Sequence, residues 1–241
     1  CISPKDYTDL TSGSHTFYVR ATDETGNTDP SPASYTWTVD TTAPNTTIDS
    51  NPTNPDSDST PNFTFSGNDS SGSGVASFQC KMDGGVYSTC TSPFTSSALT
   101  DGLHTFYVYA IDNAANQDAS PASYTWTLDA TAPDTTITSN PSNPTSSTNA
   151  SFSFTGNDGS GTGVASFECK LDAASFAACT SPQNYAGLGA GSHTFQVRAI
   201  DVLANVDATP ASFTWSIELA SPDTSIDSNP PNPSNDSTPT F

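Results

Sequence analysis

One period governs this chain. His15, His104 and His193 recur at a constant step of 89 residues (104 − 15 = 193 − 104 = 89), and Trp37, Trp126 and Trp215 keep the same step. The surrounding words recur as well: His15-Thr16-Phe17-Tyr18-Val19-Arg20-Ala21-Thr22-Asp23 returns as His104 to Asp112 and again as His193 to Asp201. Periods of about 20 to 50 residues belong to solenoids and propeller blades, whereas about 90 residues can bury a core of their own. The period therefore predicts an array of domains. A motif repeated three times in register is not a single active site, and arrays serve as spacers, stalks, fibres or multivalent surfaces.

The repeat also sets the expected boundaries. Cys1 aligns with Cys90 and Cys179, and Phe241 aligns with Phe63 and Phe152, so the sequence starts and stops inside a repeat. The expected organisation is the C-terminal part of a repeat over 1–40, complete repeats over 45–129 and 134–218, and the N-terminal part of a further repeat over 223–241. The sequence reads as a window on something longer. No initiator Met, apolar signal segment or run of about 18 apolar residues is present, which places targeting information outside the window and predicts no membrane insertion in this segment.

Five basic residues stand against 25 acidic ones, a net charge of −20. Nucleic acid and anionic membranes both demand positive charge, so neither is an expected partner, and cations are the natural counterpart. Charged residues make up only 12% of the chain, against roughly 25% in an average soluble domain. Ser, Thr, Asn, Gly and Pro take their place, which predicts a hydrated, loop-rich, all-β surface.

Within the unit 45–129 the pattern is strand after strand. Thr46-Thr47-Ile48 precedes the breaker cluster Ser50-Asn51-Pro52-Thr53-Asn54-Pro55. Phe63 and Phe65 then alternate onto one face, as do Ala76, Phe78, Cys80 and Met82 of the next strand. Later, Phe106, Val108 and Ala110 point inward opposite Thr105, Tyr107 and Tyr109, and Tyr124, Trp126 and Leu128 alternate with Ser123, Thr125 and Thr127. About seven short strands with regular turns predict an all-β fold: tandem immunoglobulin-like Greek-key β-sandwiches.

The cysteines pair by the same arithmetic. Cys80 with Cys90, and Cys169 with Cys179, are equivalent pairs ten residues apart, and Cys1 is the second member of a pair whose first member precedes the window. Asp83-Gly84-Gly85 signals a hairpin turn. With Gly84 to Val86 as the loop, Asp83 faces Tyr87 and Cys80 lies directly opposite Cys90, and the same count sets Asp172 against Phe176 and Cys169 against Cys179. Cross-strand disulfides follow, and with them an oxidising compartment. Zinc is the rival reading, but each unit offers only two sulfurs and one distant His.

Several stretches now carry a family resemblance. Phe167-Glu168-Cys169-Lys170-Leu171-Asp172, Cys179-Thr180-Ser181-Pro182, Gly191 to Ala199 (GSHTFQVRA) and Asp129-Ala130-Thr131-Ala132-Pro133-Asp134-Thr135-Thr136-Ile137 resemble the tandem bacterial Ig-like repeats of very large secreted and surface proteins. The resemblance covers the whole chain. It implies a building block of adhesins, stalks and extracellular fibres, and it names no ligand and no catalytic residue.

No catalytic residue is expected. His104 follows the turn Thr100-Asp101-Gly102-Leu103, the corner where related sandwiches place a tyrosine bonded back to turn backbone. Gly72-Ser73-Gly74 and Gly159-Ser160-Gly161 sit between strands, not at the strand-to-helix turn of a nucleophile elbow. The acidic loops are the constellation that points to a ligand. Asp112, Asn116 and Asp118 repeat Asp23, Asn27 and Asp29, and return as Asp201, Asn205 and Asp207. One sandwich pole would gather Asp40, Asp69, Asp112, Asn116 and Asp118, and the next Asp129, Asp158, Asp201, Asn205 and Asp207. Oxygen ligands converging from several loops at an interdomain pole suit Ca²⁺, and no other cofactor is required. Against this stands the reading that Asp and Asn simply cap tight turns through their own backbone.

The function expected from sequence is a structural repeat segment of an extracellular or cell-surface bacterial fibre, stalk or adhesin shaft. Its expected partners are neighbouring copies of the same repeat, with lateral association of fibres. The alternative is a glycan- or receptor-binding Ig-like module of a surface adhesin. The short Pro-bearing linkers Asp40 to Pro44 and Asp129 to Pro133 limit swivel between units.

Overall fold

The computed structural model describes residues 3–70, 72–219, 223–229, 231–232 and 237–238. Among these there is no helix, and no segment forms a helix able to cross a membrane. Cys1, Phe241 and several other residues of the expected partial repeat 223–241 lie outside the described residues. The chain divides into two compact units. One takes in Cys1–Ala132 with Asp158–Gly163 and Asp201–Asn205; the other takes in Pro133–Asn157, Val164–Ile200 and Val206–Phe241.

The first segment contributes a two-stranded ladder, β1 (Gly13–Val19) and β2 (Ala33–Val39). Seven strands follow: β3 (Asn45–Ser50), β4 (Asn62–Asn68), β5 (Val75–Met82), β6 (Ser88–Cys90), β7 (Phe94–Thr95), β8 (Gly102–Asp112) and β9 (Ala122–Leu128). They make a three-stranded sheet, β3-β4-β7, and a four-stranded sheet, β6-β5-β8-β9. The same plan returns as β10 (Asp134–Ser139), β11 (Ala150–Asn157), β12 (Val164–Leu171), β13 (Ala177–Cys179), β14 (Gln183–Tyr185), β15 (Gly191–Asp201) and β16 (Ala211–Ile217), ordered β10-β11-β14 and β13-β12-β15-β16. This is the immunoglobulin-like sandwich, twice.

Alternation builds each core. Phe63 and Phe65 of one sheet meet Phe106, Val108 and Trp126 of the other, and Trp126 is fully buried. Phe63 stacks on Phe106 with ring centroids 4.2 Å apart; the repeat copies this with Phe152 on Phe195 at 4.1 Å. The intervening hydroxyls face outward and pair across the ladder: Thr105 with Thr125 at 2.9 Å and Thr194 with Thr214 at 3.0 Å. Thr46 crosses between sheets, its Oγ1 accepting the Ala110 N–H at 2.9 Å, and Thr135 accepts that of Ala199 at 2.8 Å.

A second joint closes each sandwich. The Pro-rich segment after β3 runs parallel to the last strand: Asp56 donates its N–H to Thr127 O at 3.0 Å and accepts that of Asp129 at 2.9 Å. The Asn54 side-chain oxygen takes the Thr127 N–H at 3.0 Å. Thr145 and Asn143 repeat all three bonds against Ser216 and Glu218.

Both disulfides are present, Cys80–Cys90 and Cys169–Cys179, with Cα separations of 5.8 and 5.7 Å. Their register differs from the sequence expectation. Cys80 lies opposite Ser88 and Cys90 opposite Phe78, while Cys169 lies opposite Ala177 and Cys179 opposite Phe167, so each bridge is diagonal. The reason is that the turn sits one residue earlier. Asp83 adopts φ 52° and Asp172 φ 53°, a left-handed conformation Asp tolerates. The Gly85 N–H closes back on Met82 O at 3.0 Å.

Candidate functional site

The carboxylate cluster assembles from strand ends. Asp40 follows β2, Asp69 follows β4 and Asp112 is the last residue of β8; each offers a ligand atom within 4.8 Å of the others. Asp129 and Asp158, which follow β9 and β11, and Asp201, the last residue of β15, form the equivalent group. Strand endings are where backbone N–H groups leave their ladders, and these carboxylates collect them. Asp40 Oδ2 accepts from Ser73 N–H at 2.6 Å and Asp69 Oδ2 from Gly74 N–H at 2.7 Å. In the second group Asp129 Oδ2 accepts from Thr162 N–H and Asp158 Oδ2 from Gly163 N–H, both at 2.6 Å. Gly161 is needed here: a Cβ at that position would lie 2.5 Å from Asp158 Oδ2 and 2.9 Å from Asp129 Oδ2.

The Asp-x-x-x-Asn loops do cap their own turns. Asp112 Oδ1 accepts the N–H groups of Ala114 and Asn116 at 2.9 and 2.8 Å, and Oδ2 accepts Asn116 Nδ2–H at 2.8 Å. Asp201 does the same through Leu203 and Asn205. In the first segment, bonds from the Asn27 side chain first, then Thr25, hold the Asp23 carboxyl at about 2. Turn capping and convergence coexist: Asn116 donates its remaining Nδ2–H to Asp40 O at 3.2 Å and Asn205 to Asp129 O at 3.1 Å.

Electrostatics distinguish members of the groups. The N–H of Thr42 foremost, with the Ser73 hydrogen bonds, lowers the Asp40 carboxyl below its ordinary value. Burial raises that of Asp158, reinforced by the charges of Asp129, Asp201 and Asp101 and opposed by the Gly163 N–H. Two of the expected ligands are not brought in. Asp118 is committed elsewhere, Oδ1 to the Ser120 N–H at 2.8 Å and Oδ2 to the Thr46 N–H at 2.9 Å, and Asp207 Oδ1 caps Thr209. They sit two residues beyond Asn116 and Asn205, where the chain has already turned back toward the next strand.

Two features escaped the reading of the sequence. His104 does bond the turn backbone, Nε2 to Thr100 O at 2.6 Å, but its Nδ1 also meets Asp83 Oδ2 at 2.9 Å. His193 is held likewise by Gly189 O and Asp172. The recurrence of Asp83 as Asp172 at the common step was the available clue. The second feature is the outer face of the four-stranded sheet, where Lys81 Nζ lies 4.9 and 4.6 Å from the Tyr87 and Tyr107 ring centres, and Tyr109 packs edge-on to Tyr87. In the next repeat Lys170 and Arg198 both cover Phe176, and Arg198 also pairs with Glu168.

An open cleft in the first segment is lined by Tyr7, Phe17, Tyr35 and Trp37. Phe17 and Trp37 occupy the positions that Phe106 and Trp126 hold inside a complete core, so this is core-facing surface rather than a ligand site.

No protein-family profile and no curated protein matches the chain. Solved structures similar to it include the fibronectin(III)-like modules of Clostridium thermocellum CbhA, at 17% identity and TM-score 0.38, over 72% of this chain and 94% of that one. A tetra-tandem repeat from the extending region of a large adhesion protein matches at 23% identity and TM-score 0.33, over 89% of this chain and 59% of that one. Escherichia coli alpha-2-macroglobulin matches at 9% identity and TM-score 0.29, over 91% of this chain and 18% of that one.

Proposed function

We propose that the chain is a load-bearing shaft segment of an extracellular bacterial fibre, stalk or adhesin, working by structure rather than by catalysis. The observation that carries this reading is the joint between the Pro-rich segment and the last strand of each sandwich, built bond for bond the same way twice around Asp56 and Thr145. The segment runs parallel to the strand at this bridge, so tension applied at the ends of a unit loads their hydrogen bonds together in shear instead of opening them singly. Two disulfides fit an oxidising compartment. Single-molecule pulling tests it. Units of the native chain should unfold at clearly higher force than Asn54→Ala or Asn143→Ala units, which lose the side-chain bond to the last strand. Equal forces would remove the mechanical reading.

A second reading, glycan or receptor binding, is favoured by the outer face carrying Tyr87, Tyr107, Tyr109 and Lys81, because the next repeat replaces the tyrosines with Phe176, Gln196 and Arg198. Aromatic faces beside a cation suit sugar stacking. Glycan-array binding lost in Tyr107→Ala would support it, and an array with no bound glycan would leave the shaft reading alone.

A further inference from the structure

We infer that Asp129, Asp158 and Asp201 form a divalent-cation site of the Ca²⁺ type, and that it fills before the homologous site at Asp40, Asp69 and Asp112. The inference stands on the cluster's own geometry and not on the mechanical reading.

Asp129 is fully buried and Asp201 is 2% exposed. Asp158 is partly buried, and three carboxylates this close, two of them removed from water, repel one another unless a cation joins them. Among the described residues no basic side chain does so: Lys81, Lys170 and Arg198 are engaged on aromatic rings, and the ion pairs involve Asp83, Asp172 and Glu168. Three oxygens here are buried with no hydrogen-bond partner: Asp129 Oδ1, Asp158 Oδ1 and Thr162 Oγ1. Backbone N–H groups hold the other oxygen of each of these two carboxylates, fixing its orientation while leaving the orphan free. An all-oxygen set from three separate strand ends, without imidazole or sulfur, suits Ca²⁺, which accepts irregular coordination; Mg²⁺ demands near-ideal octahedral geometry.

The homologous cluster is better satisfied by protein. Asp40 spends both oxygens, Oδ1 on the Thr42 N–H and Oδ2 on the Ser73 N–H. The hydroxyl at the Thr162 position is Ser73, and its Oγ accepts the Ala114 N–H. Among the described residues, Asp69 Oδ1 is the one buried carboxylate oxygen of this cluster without a partner. A single upstream residue accounts for the contrast at Asp129. Asp101 accepts the Ala130 N–H at 2.8 Å and also bonds Thr131, drawing these donors away from Asp129. Its counterpart is Ser12, which takes the Thr41 N–H but leaves that of Thr42 to Asp40. Asp101 is thus a positioning residue: it keeps an oxygen of Asp129 free, and it adds negative charge near Asp158.

Equilibrium dialysis of the chelator-stripped 241-residue chain against Ca²⁺, with Mg²⁺ in parallel, decides the matter. Two Ca²⁺ should bind, the weaker with a dissociation constant on the order of 10⁻⁴ to 10⁻³ M and the tighter at least about tenfold below it. Asp158→Asn should abolish the tighter step, and Asp69→Asn the weaker. Asp101→Ser, which touches no proposed ligand atom, should bring the two steps within about threefold of each other. Emission from the buried Trp126 and Trp215 reports folding, and if Asp158→Asn unfolds, the wild-type stoichiometry and Asp101→Ser still decide. Absence of Ca²⁺ binding, or Mg²⁺ binding as tightly, overturns the site. Loss of the tighter step in Asp69→Asn, or unchanged steps in Asp101→Ser, overturns the order.

Discussion

At the residue scale, His104 and His193 are where solution conditions enter the fold. Each imidazole faces two acceptors, a carboxylate and a backbone carbonyl, and only the doubly protonated ring can donate to both. The Asp172 bond first, then the Gly189 carbonyl, raise His193 above its ordinary value; for His104 burial opposes the charge, but Thr100 O and Asp83 outweigh it. With a folded value above the unfolded one, the stabilisation is complete below about pH 6.5 and is lost as pH rises through the folded value. Melting temperature should therefore fall as pH is raised from 6 to 9, and the slope should flatten in a His104→Gln, His193→Gln double variant. An identical slope in that variant would assign the pH dependence elsewhere. Gly156 makes a second residue-scale prediction. A Cβ there would lie 2.8 Å from Val164 Cγ2 and 3.1 Å from Ala199 Cβ, so Gly156→Ala should destabilise its sandwich by about 1–3 kcal/mol in urea titration, through overpacking.

At the scale of elements, the hairpin shows how far a sequence can be read and where reading stops. Alternation identified the faces of β4, β8 and β9 because the side-chain period of a strand is fixed. Turn position was harder. Asp83-Gly84-Gly85 offers left-handed positions at neighbouring residues, and what selects Asp83 is its carboxylate bond to the Thr105 N–H at 2.7 Å, a contact 22 residues away. No local signal carries that. The acidic loops divide the same way: repetition pointed to Asp40, Asp69 and Asp112, while exclusion of Asp118 depends on its bond to Thr46, 72 residues away. The diagonal bridge remains a loop closure of about 11 residues, so reduction should cost each sandwich about 2–3 kcal/mol. Urea midpoints with and without reductant measure it, and no change would mean that the hairpin contributes nothing cooperative.

At the scale of the whole molecule, the repeat delivers two cores with the same stacked phenylalanines and the same buried tryptophan. The differences fall on surfaces and loops: tyrosines against Arg198 and Phe176, and Asp101 against Ser12. The period could reveal the shared framework because cores tolerate little change. It could not rank the two acidic clusters, because their contrast is made by which oxygen receives which N–H.

The rings covering Lys81, Lys170 and Arg198 have a consequence for resistance to proteolysis. The chain has only five lysines and arginines, and these three lie within central strands β5, β12 and β15 beneath or beside aromatic side chains. A protease that cuts after basic residues must first pull such a strand out of its sheet, so cleavage there waits on unfolding of the sandwich. Only Lys5 and Arg20 are exposed. Trypsin should therefore clip the folded chain near its start and leave residues 21–219 intact, whereas early cuts at Lys81 or Arg198 would reveal a sheet that opens readily. Scarcity and concealment of cleavage sites would let the material persist among digestive enzymes without any inhibitor.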